Sequence, residues 1–139
     1  MIQRQQTLWL ILSVACSVLS FLYPVYTGQQ IEENSAPMFA EVMGGSSLLL
    51  ILLTGISVLA GSIAIFMFKD RKTQVKLSIT GIVVAILLLI LYFLEIRKFQ
   101  NGHFALTSLY IAGLLIGYIM ATRGILKDEK LVKSLNKLR

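Results

Sequence analysis

Four apolar runs constrain this 139-residue chain more than any other feature: residues 8–26, 47–68, 77–94 and 104–122, none of which contains Asp, Glu, Lys, Arg or His. A helix needs about 20 apolar residues to cross a hydrocarbon core of roughly 30 Å, and each run is close to that length. Backbone groups in lipid must be satisfied inside a helix or a closed barrel, so the runs are expected as helices and not as strands of an open sheet. Composition agrees. The chain is 56% hydrophobic and 14% charged, against about 25% charged in soluble domains. That is too little polar surface for a soluble enzyme and far too much apolar surface for a disordered chain. The length leaves room for one domain. The expected fold class is all-α: an integral membrane four-helix bundle over residues 1–122, then a basic amphipathic tail over residues 123–139.

The first run has some features of a cleaved signal. Arg4 precedes it, and Cys16 follows Ser13-Val14-Ala15 in the manner of a lipoprotein box. Such a box wants Leu where Ser13 stands, and the apolar run continues past Cys16 to Tyr23, so a retained span is expected. A single cysteine excludes an intramolecular disulfide, and Cys16 reads as a small apolar residue.

Charge orders the connections. Residues 27–46 carry Glu32, Glu33 and Glu41 without a cation, and residues 95–103 carry Glu95, Arg97, Lys98 and His103. Residues 69–76 carry Lys69, Arg71, Lys72 and Lys76 against Asp70. Alternating the ends of four spans places 11 of the 13 Lys and Arg on the side of the termini. The positive-inside rule then predicts both termini and the 69–76 loop in the cytoplasm.

The interior reads as packing surface. Pairs of small residues four apart occur in every span: Ser13 and Ser17, Ser57 and Gly61, Gly81 and Ala85, Gly113 and Gly117. Small side chains at that spacing let two helix backbones approach closely, within one bundle or against a partner. Polar residues in the spans are hydroxyls, among them Thr54, Ser57, Thr80 and Ser108, which can bond carbonyls of their own preceding turn. Pumps and proton relays use intramembrane charges, and the spans contain none. One histidine, His103, cannot build a multi-histidine metal site, and no Gly-rich phosphate loop follows a strand. No catalytic residue, metal or cofactor is therefore expected, and the protein is expected not to be an enzyme. Terminal aromatics such as Trp9, Tyr23, Tyr26, Tyr92 and Phe93 fit an interfacial belt.

The tail places Leu131, Leu135 and Leu138 on one helical face and Lys127, Lys130, Lys133 and Lys137 on the other, with Glu129 four residues before Lys133. Such a helix can lie along an anionic leaflet. Arg123, Lys127, Lys130, Lys133, Lys137 and Arg139 are the expected contacts to anionic lipid or a partner protein, and nucleic acid is not an expected partner.

The opening Met1–Thr7, four spans, and a close running from Arg123-Gly124-Ile125 through Lys127–Ser134 together resemble the bacterial membrane-protein family called domain of unknown function 4293. The resemblance covers the whole chain. Members usually end in Arg-Leu-Arg, where this chain has Lys137-Leu138-Arg139. It implies a small inner-membrane protein and supplies no activity or site residues. The expected role is an accessory or scaffold subunit of a larger inner-membrane complex, or a homo-oligomer. The alternative is a small transporter or lipid-handling protein with a cavity lined by Thr54, Ser57, Thr80 and Ser108.

Overall fold

The computed structural model describes residues 2–30, 36 and 38–137. Helix α1 (Ile2–Leu22) leads to strands β1 (Tyr26–Gln30) and β2 (Met38–Val42). Helices α2 (Leu48–Phe66) and α3 (Arg71–Ile96) form a tight helical hairpin, followed by β3 (Phe99–Phe104), a 3₁₀ turn (Leu106–Ser108) and α4 (Leu109–Lys137). All four α-helices are long and apolar enough to cross a membrane.

Burial is arranged for lipid. Ser13, Ser17, Ser57 and Ser78 are wholly buried, whereas Leu48 is 73% and Phe66 79% exposed. In water that exposure would be a large aggregating patch. In hydrocarbon, which is as apolar as leucine, helices associate through small residues and hydroxyls. Ser17 shows how these hydroxyls are satisfied. Its Oγ donates to the Ser13 carbonyl at 2.9 Å and lies 3.0 Å from the Ser57 Oγ. A hydroxyl has one proton, so Ser57 is the donor across the α1–α2 contact.

The sheet departs from the all-α expectation. Its order is β2-β1-β3, antiparallel throughout, with Tyr26 opposite both Val42 and Phe104. Gly28 and Gly102 face each other across β1 and β3. A Cβ on Gly28 would lie 2.6 Å from the Asn101 carbonyl oxygen, and one on Gly102 would lie 2.5 Å from the Tyr26 ring. Both positions therefore require glycine, and the Tyr26 ring crosses the space left by Gly102. It meets Phe99 and Phe104 edge-on, at centroid distances of 5.5 and 5.2 Å.

The element bounds differ from the expected spans for identifiable reasons. The first helix stops at Leu22 and not at residue 26. Pro24 has no N–H and disfavours helix in the residue before it, and Val25 then turns to bond Val42 at 2.7 Å. Ser47 caps α2 by accepting from the Leu50 N–H at 3.3 Å. Asp70 caps α3, accepting from the Thr73 hydroxyl at 2.6 Å and its N–H at 3.4 Å. Helix α3 accordingly starts six residues before the apolar run does. The tail is not a separate helix: α4 runs unbroken for 29 residues across the expected boundary at residue 123. Gly124 does not end it, because that position packs against α1.

Candidate functional site

The four helices meet around Tyr118. It is wholly buried, and its hydroxyl donates to the Ser57 carbonyl at 2.6 Å. A Cβ on Gly61 would lie 2.7 Å from that hydroxyl oxygen, and one on Gly81 would lie 2.6 Å from the ring Cδ1. Ala85 is wholly buried in the same cluster as Tyr118. Thus Gly61 of α2 and Gly81 of α3 are the hollows that receive the α4 tyrosine. The other small residues form the α1–α4 contact. Gly113 lies against Cys16, with 2.9 Å from a built Cβ to the sulfur, and Gly117 lies against Ser13 and the Trp9 carbonyl. All eight small residues singled out from the sequence thus lie inside one bundle, at contacts between its own helices.

Along α4 this contact face advances in steps of seven, from Gly117 to Gly124 to Leu131. Gly124 faces Gln6, whose Cγ would be 2.8 Å from a built Cβ. Gln6 is 4% exposed, and its Nε2 has no hydrogen-bond partner among the described residues. One turn on, Asp128 is buried at 8% exposure, and its carbonyl accepts from Arg71 Nη1 at 3.4 Å. Gln74 of α3 donates to the Ala64 carbonyl of α2 at 3.0 Å. The opening and closing segments of the chain are thus joined at the tail-side end of the bundle, with the α2–α3 turn as the third wall.

Beyond Asp128 the described residues leave the same face uncovered. Leu131 is 45% and Leu135 65% exposed. At about 1.5 Å per residue α4 is roughly 43 Å long, against roughly 30 Å of hydrocarbon, so its last turns stand clear of the bundle. Arg123, Lys127, Lys130 and Lys133 are exposed beside the leucines. With Lys137, placed by its backbone, they occupy an arc of roughly 120° at 3.6 residues per turn. Lys133 pairs with Glu129 at 2.8 Å. Leu138 and Arg139 lie outside the described residues, as do Glu32 and Glu33.

Sequence reasoning missed Tyr118, Gln6, Gln74 and Asp128. A tyrosine beside Gly117 in mid-span, and polar residues one turn outside the apolar runs, were the available signals. The four hydroxyls expected around a transport cavity do not converge. Thr54 and Ser57 are buried, while Thr80 is exposed on the outer surface of α3 and bonds the Lys76 carbonyl at 3.0 Å. Ser108 lies in the 3₁₀ turn. Among the described residues no group of three His, Cys, Asp or Glu could hold a metal ion.

Four helices long and apolar enough to cross a membrane, packed around a small-residue and hydroxyl core, are consistent with a multi-pass membrane protein. The chain belongs to the family described as domain of unknown function (DUF4293), whose model matches residues 2–138. No curated protein and no solved structure matches it.

Proposed function

We propose that this protein is a non-catalytic accessory subunit of a larger inner-membrane complex, with both termini in the cytoplasm. The observation that carries the reading is the uncovered continuation of the α1–α4 contact face. The face that packs on α1 from Gly113 to Gly124 continues as Leu131 and Leu135, which the described residues leave exposed. An apolar stripe bordered by four exposed cations suits the groove of a partner protein with an acidic rim. The orientation is supported by the 11 to 2 distribution of Lys and Arg between the two sides.

The test is mild extraction of the full chain from its native membrane, with co-purifying proteins identified. Leu131→Ser with Leu135→Ser should release a specific protein while the four spans still insert. Lys130→Glu with Lys133→Glu should weaken the same association and leave what remains less sensitive to added salt, since the attraction that salt screens over a Debye length of about 8 Å has been removed. Retention of every partner by both double variants would overturn the reading.

A further inference from the structure

A groove between α1 and α4, on the tail side, points to a second ligand. The cavity has a volume of about 560 Å³ and is lined by Gln5, Leu8, Trp9, Leu12 and Met120. Leu8, Leu12 and Met120 leave 63%, 40% and 37% of their surface outward, so the groove opens sideways to lipid. Towards the tail its chemistry changes. Gln5 is the polar group of the lining, and Arg123 and Lys127 stand three and seven residues beyond Met120 on the same face of α4, both exposed. Among the described residues of α1 and α4 no carboxylate pairs with them: Asp128 is buried, Glu129 pairs with Lys133, and α1 contains no acidic residue.

Apolar groove, amide, then two cations, in that order along the helix axis, matches a phospholipid from acyl chain to phosphate. We propose that this groove holds one anionic phospholipid of the tail-side leaflet. Its chain lies along Leu8, Leu12 and Met120, and its headgroup is held by Arg123 and Lys127 with Gln5 beside the ester region. The site does not use Leu131 and Leu135, which carry the subunit reading, although Arg123 and Lys127 border both, and it is tested without any partner protein.

Trp9 is the single tryptophan and lines the groove, so it reports occupancy directly. The full-length purified chain is reconstituted into phosphatidylcholine vesicles. These contain a minor fraction of either brominated phosphatidylglycerol or brominated phosphatidylcholine. Brominated phosphatidylglycerol should quench Trp9 in clear excess over its mole fraction, with enrichment of about fivefold for each basic residue engaged. Arg123→Gln with Lys127→Gln should remove that excess. Lys130→Gln with Lys133→Gln removes equal charge further along α4 and should leave it. Equal quenching by the two lipids in the unsubstituted chain would overturn the proposal. So would an excess that survives loss of Arg123 and Lys127, or one lost equally in both double variants, which would assign it to diffuse surface charge. Baseline quenching by brominated phosphatidylcholine shows whether each variant has inserted. If the Arg123 and Lys127 double variant fails to insert, Arg123→Gln alone should lower the excess about fivefold, and no change would overturn the site.

Discussion

Tyr118 occupies the space that Gly81 leaves empty: its ring Cδ1 would be 2.6 Å from a Cβ at that position, closer than any side chain tolerates. Because the same tyrosine bonds the Ser57 carbonyl, a change at Gly81 acts on three helices at once.

Gly81→Ala and Gly61→Ala should each destabilise the bundle by about 1–3 kcal/mol, the usual cost of overpacking. Gly55 is the control, because a Cβ there meets nothing within 4 Å, and Gly55→Ala should be neutral or slightly stabilising. Tyr118→Phe removes one hydrogen bond and keeps the ring, so about 0.6 kcal/mol is expected, the mean for such bonds in a membrane. Unfolding in mixed detergent micelles measures all four. A Gly81→Ala protein as stable as Gly55→Ala would refute the packing described.

The α1–α4 contact should be uneven along its length. A methyl group at Gly113 meets only the Cys16 sulfur, a side-chain atom that can give way, whereas one at Gly117 meets Ser13 and the Trp9 backbone. Gly117→Ala should therefore cost more than Gly113→Ala, and Gly117→Leu should prevent stable folding. Yield and thermal stability in detergent rank the three, and an inverted order between the two alanine variants would contradict the geometry.

Acid should loosen the start of α3. Hydrogen bonds from the Thr73 hydroxyl and N–H hold the Asp70 carboxyl below the usual aspartate range, with Lys72 adding to the effect. A pKa lowered by folding means a contribution present above the unfolded pKa and lost as the pH falls through the folded one. Stability should thus decline below about pH 4. Asp70→Asn, which still caps a helix, should flatten that decline. A pH profile of unfolding in detergent for the two proteins checks this, and parallel curves would exclude Asp70 as a source.

Orientation can be read with thiols. With Cys16→Ala as background, Asn101→Cys on the sheet side and Lys130→Cys on the tail both place a thiol at an exposed position. In intact cells an impermeant maleimide should label Asn101→Cys and leave Lys130→Cys unlabelled until the membrane is opened. The reverse pattern would invert the topology proposed from charge.

The spans were legible because lipid permits few answers: a charge-free run near 20 residues has one economical structure there. The small-residue pairs were legible as close approaches for the same reason. What they approach was not. Nothing local to Gly61 or Gly81 names Tyr118, since a hollow carries no information about the side chain that fills it. The sheet was hidden because Tyr26-Thr27-Gly28-Gln29-Gln30 lacks an alternating apolar pattern. It forms through cross-strand fit, with Gly28 and Gly102 admitting Tyr26. Charge changes sharply at Arg123, and that invited a break in α4. Helix continuity follows backbone propensity and packing, and at Gly124 the packing against Gln6 carries the helix through.

The sheet also sets an order of events during synthesis. Strands β1 and β2 are neighbours in sequence and can pair as soon as both have been made. Strand β3 is made roughly 70 residues after β1, so at about 5–20 residues per second β1 waits several seconds with one edge unpaired. The strand that ends the wait arrives between α3 and α4, and it can dock only when the α2–α3 hairpin has returned it to the side of β1. A chain whose α2–α3 hairpin is inverted would therefore keep the β3-facing edge of β1 unpaired.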